Sequence, residues 1–226
     1  MGARLGRRNL LGRGAAGFVL CLAGGLAGTA PASRASAQAP VRLLMLGDSI
    51  TAAYGLARGQ GLPARLEEAL RAGGRAVTVI DAGVSGDTTA GGRARLEWSL
   101  AERPDAVIVA LGGNDGLRGV EPRNSEANLR AILAALKARG IPTLLAGMLA
   151  LPNLGADYGR EFAKVFGDIA QDNPEVVFYP FLLEGVAGEA ALNQPDRIHP
   201  NPQGVDEMVR RMMPAVETLL SKVRSA

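Results

Sequence analysis

Short, continuous runs of apolar residues alternate with longer amphipathic segments along the chain from residue 41 onward. Continuous apolar runs bounded by polar or glycine-rich segments are typical of parallel strands that are covered on both faces. Segments with apolar residues every three or four positions are typical of helices that pack one face against a core. Strands are predicted at residues 41–46, 76–80, 106–111, 143–148 and 176–179.

Helices are predicted between these strands and after the last one. Gly73 and Gly140 follow two of the helical segments, and Pro142 comes soon after the second glycine, as expected where helices end. The predicted helices are residues 62–72, 88–101, 125–139, 158–172 and 202–223. This alternation predicts an α/β fold, a three-layer sandwich around a five-stranded parallel sheet with a flavodoxin-like strand order. Residues 38–226 are expected to form a single domain.

Residues 1–37 have the layout of a secretory signal peptide. A basic start is followed by a weakly apolar stretch at residues 15–30 and by an A-x-A cleavage pattern at residues 35–37. The arginine pair at residues 7–8 also resembles a twin-arginine export signal. A membrane anchor is the alternative, but the stretch is short and rich in Gly and Ala, whereas a spanning helix needs about 20 strongly apolar residues. The mature protein is therefore expected to be periplasmic or secreted, with no stable membrane span.

Removal of this segment changes the charge of the chain. The full sequence has 25 basic and 22 acidic residues and a pI of about 9.4. Five of the basic residues and none of the acidic ones precede Gln38, so 20 basic and 22 acidic residues remain, a formal charge of −2. The basic pI therefore gives no reason to expect a nucleic-acid partner. Cys21 is the only cysteine and leaves with this segment, so the mature chain has neither a disulfide nor a cysteine metal site.

Polar residues follow three of the predicted strands, and ligands of such sheets bind beyond the carboxyl ends of the strands. Ser49 follows the first strand, Gly86 lies after the second, and Asn114 lies after the third. His199 is the only histidine and follows Asp196 by three residues in a proline-containing loop. Histidine is the usual base for a serine nucleophile, and an aspartate beside it fixes its tautomer. The pattern favours Ser49 as nucleophile, His199 as base and Asp196 as its partner.

Several of these residues also have simpler interpretations. Ser49 could cap a helix after the strand, a role that is compatible with a nucleophile whose amide faces an anion. Ser85 is a rival nucleophile, although the glycines at Gly83 and Gly86 fit an anion-binding turn better. Asn114 could be a turn residue, because Gly-Gly-Asn-Asp-Gly is strong turn chemistry. For acyl transfer, the candidate oxyanion donors are the amides of Ser49 and Gly86 and the side-chain amide of Asn114.

Together these segments resemble the SGNH (GDSL) hydrolase family, whose letters stand for Ser, Gly, Asn and His. The matching positions are Ser49, Gly86, Asn114 and His199. Residues 111–119 further resemble one branch, the bacterial acyl-CoA thioesterase I, arylesterase and lysophospholipase group. The resemblance covers essentially the whole mature chain, residues 41–220. It implies the SGNH fold and a Ser–His–Asp serine hydrolase that needs no metal and no cofactor.

The resemblance also implies a small-molecule ester substrate, such as an aryl ester, a short-to-medium acyl ester, a lysophospholipid or an acyl thioester. Residues 148–155 look like the arylesterase version of the substrate loop. Arg197 stands where glycine is common in the family, and Ile50 replaces the usual leucine. Six apolar side chains could line an acyl groove or could belong to ordinary packing: Met148, Leu149, Leu151, Leu154, Leu182 and Leu183.

Two other functions fit parts of the sequence. An enzyme of the same fold could remove acetyl groups from carbohydrate or peptidoglycan, although the apolar loop favours a lipid-like ester. A non-catalytic flavodoxin-like nucleotide binder would use the loose dinucleotide pattern at residues 59–64, which does not directly follow a strand. The sequence carries no signal of oligomeric state.

Overall fold

The strands of the sheet all run parallel, in the order β2-β1-β3-β4-β5. This is the flavodoxin-like strand order, so the predicted fold class is confirmed. A computed structural model describes residues 39–223, and the predicted signal peptide lies outside the described residues. The strands are β1 (Val41–Gly47), β2 (Val77–Gly83), β3 (Ala106–Ala110), β4 (Thr143–Ala146) and β5 (Val177–Tyr179).

Helices cover the sheet on both faces. Helix α1 packs against α7, and α5 packs against both α2 and α6. Single 3-10 turns occur at Pro152–Leu154 and Ala190–Leu192. The helices are α1 (Leu62–Ala72), α2 (Thr89–Ala94), α3 (Leu96–Leu100), α4 (Gly113–Arg118), α5 (Pro122–Ala138), α6 (Ala156–Asp172) and α7 (Pro202–Ser221). Among the described residues, no helix combines the length and the apolar character that crossing a membrane requires.

The core lies on both faces of the central strands. All five residues of β3 are buried, as are the four leucine and methionine side chains of β1. The long helices begin where their sequences favour it: Pro122 and Pro202 occupy first-turn positions whose amides have no partner in a helix. Asn201 caps α7, since its side-chain oxygen accepts a hydrogen bond from the Gly204 amide at 3.0 Å.

The structure differs from the predicted elements in three places that matter for the site. The single helix predicted over residues 88–101 is broken at Arg95 into α2 and α3. The segment after β3 forms the short helix α4 and not a simple turn, so Asn114 lies in a first helical turn. Strand β2 also continues to Gly83, three residues beyond its predicted end.

Gly112 allows the chain to pass from β3 into α4. Its φ of 116° is a conformation that side chains rarely adopt, and a Cβ there would lie 2.9 Å from the Phe166 ring. The next residue is equally crowded, because a Cβ at Gly113 would lie 2.9 Å from an Asp48 carboxylate oxygen. The two glycines therefore let the backbone bring Asn114 close to the segment that carries Ser49.

Candidate active site

Ser49, His199 and Asp196 form one chain of hydrogen bonds at the carboxyl edge of the sheet. The Oγ atom of Ser49 lies 2.9 Å from His199 Nε2, within reach for the hydroxyl to donate to the ring. On the other side of the ring, Nδ1 lies 2.7 Å from Asp196 Oδ2 and donates to it when that nitrogen carries the proton. Such a chain can remove a proton from a hydroxyl and stabilise the imidazolium that forms.

The Asp196 carboxylate is held in its ionised form. Partial burial alone would raise its pKa, but hydrogen bonds from the backbone amides of His199 and Ile198 and from the His199 ring outweigh burial and lower the pKa to about 2. Both amides donate to Asp196 Oδ1 at 3.0 Å, which leaves Oδ2 for the ring. Asp196 is therefore an anion at any pH near neutrality and can orient the imidazole.

The loop of residues 193–200, called the histidine loop below, is fixed from both sides. Its ends meet in an antiparallel bridge between Asn193 and Pro200. The Gln194 side-chain amide donates to the carbonyls of Tyr54 at 2.8 Å and Pro200 at 3.0 Å, which ties the loop to the segment after β1. The Tyr54 ring also packs against the His199 ring, with centroids 4.6 Å apart. These contacts set the position and tilt of the imidazole over Ser49.

Ser49 does not cap a helix, contrary to one of the interpretations considered above. Residues 48–55 form successive turns, and the next helix begins only at Leu62. The amide of Ala52 donates to the Asp48 carbonyl at 2.9 Å, and the amide of Tyr54 donates to the Ser49 carbonyl at 3.0 Å. These bonds fold the segment back over the end of the sheet and leave the Ser49 side chain partly exposed.

The three candidate oxyanion donors lie on the segments that follow β1, β2 and β3. Within the described residues, the backbone amides of Ser49 and Gly86 donate to no protein atom, so both are available to a ligand. Gly86 has a φ of 83°, which favours glycine, and its carbonyl accepts a hydrogen bond from Arg118 at 3.0 Å. The Asn114 side-chain nitrogen donates to the Asp87 carbonyl at 2.9 Å, which fixes its orientation and leaves its second hydrogen weakly engaged.

Helix α4, which carries Asn114, is anchored by its next residue. Asp115 is buried, and its carboxylate accepts hydrogen bonds from the Thr89 amide at 2.8 Å, the Thr89 hydroxyl at 2.6 Å and the Ser125 hydroxyl at 2.9 Å. These bonds join the short helix to α2 and α5. The position of Asn114 therefore depends on three helices and not on a flexible turn.

Ser85, the rival nucleophile, is exposed and makes no hydrogen bond with the histidine. The two ring nitrogens of His199 are engaged by Asp196 and Ser49. Since the sequence contains no other histidine, no second imidazole is present to activate Ser85.

Asp48 is a site residue to which the sequence analysis gave no role. Its side chain is 2% exposed, and burial raises its pKa to about 6, although the Ile50 amide and the nearby His199 oppose the rise. The Ile50 amide donates to Asp48 Oδ1 at 3.1 Å, while Oδ2 lies 3.4 Å from the Asn114 side-chain nitrogen. A carboxyl group thus lies buried between the serine segment and the candidate oxyanion donor.

Arg95 is a second residue that the sequence analysis missed. Its guanidinium is largely buried and pairs with Asp87, with Nε 2.6 Å from the Asp87 carboxylate. Another of its nitrogens donates to the Gly47 carbonyl at 2.8 Å. Arg95 thereby links the end of β1, which precedes Ser49, to the residue whose carbonyl orients Asn114. Nothing in the helical pattern around Arg95 distinguishes it from a surface arginine.

A cavity of about 120 Å³ opens beside Ser49 and is called the Ser49 cavity below. Four of the six expected groove residues line it: Met148, Leu149, Leu151 and Leu183. Further apolar lining comes from Ile50, Leu117 and Ile198.

Leu154 and Leu182 do not line this cavity. Leu182 is 1% exposed because its side chain is part of the core, and Leu154 lies in a 3-10 turn near Gly119. Of the two interpretations given for these leucines, the structure favours ordinary packing over a place in the groove.

Two larger depressions, of about 740 and 480 Å³, lie away from Ser49 and His199. The first is formed by the amino-terminal ends of β3 and β4 and the second by α1 and α7. Neither includes a candidate catalytic residue, so the smaller Ser49 cavity is the candidate substrate site.

Within residues 39–223, no group of three or more His, Cys, Asp or Glu side chains is placed to hold a metal ion.

Comparisons with known proteins place this chain in a family. Residues 45–206 match the model of the GDSL-like Lipase/Acylhydrolase family. The chain belongs to the GDSL-like lipase/acylhydrolase family. This confirms the resemblance drawn from the sequence, and the family's hydrolase activity agrees with the predicted class of enzyme.

Relatives within the family cover nearly the whole domain. Esterase TesA of Pseudomonas aeruginosa is 40% identical over 202 residues, which is 89% of this chain and 98% of that protein. The Escherichia coli protein named thioesterase 1/protease 1/lysophospholipase L1 is 36% identical over 77% of this chain and 84% of its own length. A crystal structure of TesA superposes with a TM-score of 0.75 over 79% of this chain and 99% of that chain, at 40% identity.

Replacement of Arg95 tests its role as a positioning residue. Arg95→Gln leaves the Asp87 carboxylate buried without its cation, so we expect a loss of about 3 kcal/mol in the free energy of unfolding. We also expect kcat for ester hydrolysis to fall while KM changes little, because Asn114 loses its support. Urea unfolding and steady-state kinetics with p-nitrophenyl butyrate measure both effects.

The matched control is Arg139→Gln, which breaks the exposed pair between Arg139 and Glu97. This variant should lose less than about 1 kcal/mol and keep the wild-type kcat. Equal losses of stability in the two variants would contradict the role given to Arg95.

The raised pKa of Asp48 predicts a pH dependence of stability. In the unfolded chain the carboxyl has an ordinary pKa near 3.8, and in the folded protein its pKa is about 6 because of burial. The folded state therefore binds the proton more tightly. The stabilisation that this tighter proton binding provides is fully present below pH 4 and is lost as the pH rises through 6. The free energy of unfolding changes by on the order of 3 kcal/mol in total.

Asp48→Asn removes this titration. Relative to wild type, the free energy of unfolding of Asp48→Asn should rise by about 2–3 kcal/mol between pH 4 and pH 7. Asp157→Asn, which removes an exposed carboxylate, is the control and should stay within about 1 kcal/mol of wild type. A difference between Asp48→Asn and wild type that does not change with pH would rule out the proposed burial effect.

Proposed function

We propose that this protein is an exported serine esterase that hydrolyses carboxylic esters through Ser49, His199 and Asp196. The observation that carries the proposal is the uninterrupted hydrogen-bond chain from Asp196 through the only histidine to Ser49. Membership of a family of lipases and acylhydrolases supports it.

The reaction begins with proton transfer from the Ser49 hydroxyl to His199 Nε2, while Ser49 Oγ attacks the ester carbonyl carbon. The ester carbonyl becomes an oxyanion, and Asp196 stabilises the imidazolium. His199 then donates the proton to the leaving alcohol, and the carbon–oxygen bond to that alcohol breaks. A water molecule, deprotonated by His199, attacks the acyl-serine, and the acid leaves as the Ser49 hydroxyl is restored.

The oxyanion is held by the amides of Ser49 and Gly86 and by the side-chain amide of Asn114. The two backbone amides are without protein acceptors among the described residues, and Asn114 is held in orientation by the Asp87 carbonyl. Donors that are fixed before the reaction need no reorganisation as the charge develops, which is why such groups lower the barrier.

The acyl group occupies the apolar side of the Ser49 cavity. Side chains of Ile50, Met148, Leu149 and Leu183 line it, and Leu149 is half exposed, so an acyl chain can contact this wall without displacing core residues. A short-to-medium acyl chain fits a cavity of about 120 Å³ that opens to solvent. Aryl esters, lysophospholipids and acyl thioesters share the reactive carbonyl, and the Escherichia coli relative is named for thioesterase and lysophospholipase activities.

Export rests on the sequence of residues 1–37, with its basic start and its A-x-A pattern at residues 35–37. An exported enzyme works in the periplasm or outside the cell. Esters are more plausible substrates there than acyl-CoA, which is an intracellular metabolite.

Replacement of Ser49 tests the nucleophile. Ser49→Ala should lower kcat for p-nitrophenyl butyrate by about 10⁴-fold or more, because no other group can form the acyl intermediate. A fluorophosphonate probe should label the wild type once per chain and should not label Ser49→Ala.

Ser85→Ala is the matched control, since this serine lies on the same edge of the sheet but makes no hydrogen bond with His199. It should keep near wild-type turnover and labelling. Normal turnover by Ser49→Ala, or its loss in Ser85→Ala alone, would rule out Ser49 as nucleophile.

The apolar wall predicts a preference for acyl chains longer than acetyl. We expect kcat/KM to be higher for p-nitrophenyl octanoate than for the acetate, because each buried methylene contributes up to about 0.8 kcal/mol. Leu149→Ala should lower kcat/KM for the octanoate by about fivefold and leave the acetate unchanged.

Trp98→Ala is the control for this experiment, because Trp98 is an exposed apolar residue outside the Ser49 cavity. Trp98→Ala should change kcat/KM for neither the octanoate nor the acetate. A preference for acetylated xylan over the octanoate would instead favour a carbohydrate acetylesterase.

A further inference from the structure

Arg197 is placed at the mouth of the Ser49 cavity. It lies at the tip of the histidine loop, between Asp196 and His199, and its side chain is exposed and lines the cavity. Among the described residues that line the cavity, the other formally charged side chain is Asp48, which is buried. Arg197 is therefore the charge that an entering substrate meets at this side of the mouth.

The guanidinium of Arg197 has no protein partner within the described residues. No carboxylate of residues 39–223 lies within 4 Å of it, although Asp196 is its neighbour in the chain. The Asp196 carboxylate is instead occupied by the His199 ring and by two backbone amides. Most arginines of the described domain are paired with acidic residues, so Arg197 is available to an anion that the protein does not supply.

The backbone at Arg197 favours a different residue. Its φ is 59°, in the left-handed region where glycine is accommodated without strain. The loop geometry therefore does not require arginine and would be better served by glycine. A side chain that the backbone disfavours, placed at a substrate cavity, indicates a use for the side chain itself.

The mechanism determines which part of the substrate lies near Arg197. His199 must come within hydrogen-bond distance of the leaving oxygen to protonate it, so the alcohol part of the ester leaves on the histidine side. The oxyanion donors Gly86 and Asn114 belong to other segments, the turn after β2 and helix α4. Arg197 is two residues before His199 in the same loop and therefore faces the leaving group more directly than the oxyanion.

We propose that Arg197 forms a subsite for an anionic group on the leaving alcohol, a carboxylate or a phosphate. This inference rests on the proposed esterase function and adds its substrate class: esters with an apolar acyl part and an anionic alcohol part. The acyl part contacts the leucine-rich wall of the Ser49 cavity, and the anion pairs with Arg197 at the mouth. Both guanidinium geometry and charge suit carboxylate and phosphate oxygens.

The test compares pairs of esters that share an acyl group, one member of each pair carrying an anion on the leaving group. One pair is the butyrate ester of 4-hydroxybenzoate and that of neutral 4-hydroxybenzamide. The other pair is 1-decanoyl-glycerol 3-phosphate and 1-decanoyl-glycerol. Wild type should favour the anionic member in kcat/KM by about two- to fivefold at low ionic strength, the scale of an exposed ion pair, and salt should reduce the ratio.

Three substitutions separate charge from backbone. Arg197→Gln should lower the ratio of anionic to neutral kcat/KM by about two- to fivefold, and Arg197→Lys should keep most of the wild-type ratio. Arg197→Gly suits the loop backbone, so it should fold at least as well as Arg197→Gln and should also lose the preference. Preference in only one pair, if abolished by Arg197→Gln, supports the subsite and identifies the anion as carboxylate or phosphate.

Arg103→Gln is the matched control. Arg103 is also exposed, also has a positive φ of 51°, and lies before β3 at the opposite edge of the sheet. Its replacement should leave the ratio unchanged. Hydrolysis of both esters with no charge preference, or a preference that survives in Arg197→Gln, would overturn the subsite while leaving the esterase intact. Failure of the wild type to hydrolyse any of the esters or to react with a fluorophosphonate probe would overturn both.

Discussion

The register of three parallel strands is the constraint on which the site depends. Gly47 at the end of β1 lies opposite Gly83 of β2 and Ala110 of β3, so all three strands end at the same level. The segments that follow must leave the sheet from one edge. There Ser49 and Asn114 line one cavity, and Asn114 donates to the carbonyl of Asp87, the residue after Gly86.

Two glycines make this convergence sterically feasible. A Cβ at Gly47 would lie 1.9 Å from the Thr51 hydroxyl, and one at Gly83 would lie 2.3 Å from the Ala52 amide. Their absence of a side chain allows the turns after β1 to fold directly over the strand ends, with Ser49 in those turns.

The sequence allowed the fold and the family to be predicted because both rest on local patterns. Buried strands are continuous apolar runs, and the polar residues that follow them are expected to meet at one edge of a parallel sheet. The position of His199 could not be predicted in the same way. Its loop follows no strand and is fixed by Tyr54 and Gln194, which are 140 residues apart in the chain. The sequence identified the histidine because it is the sole one, follows Asp196 by three residues and matches the family's histidine position.

The side chains that support the site were also beyond sequence reasoning. The sequence around Arg95 is typical of a surface position on a helix. Only the contacts of its guanidinium with the Gly47 carbonyl and the Asp87 carboxylate show that it supports the site. Leu182 shows the converse, since an apolar residue near the substrate loop is part of the core. In each case the deciding information is a contact between residues that are distant in sequence or on different elements.

Asn114 connects these supporting residues to the proposed chemistry. One hydrogen of its side-chain amide is committed to the Asp87 carbonyl at 2.9 Å, and Asp87 is in turn held by Arg95. The other faces Asp48 across 3.4 Å, which is long for a hydrogen bond and correspondingly weak. The amide can therefore donate this hydrogen to an oxyanion without breaking a strong bond, while its other hydrogen bond keeps it oriented. A buried carboxyl such as Asp48 holds the amide nearby, but the distance between them prevents it from competing strongly with the oxyanion for that hydrogen.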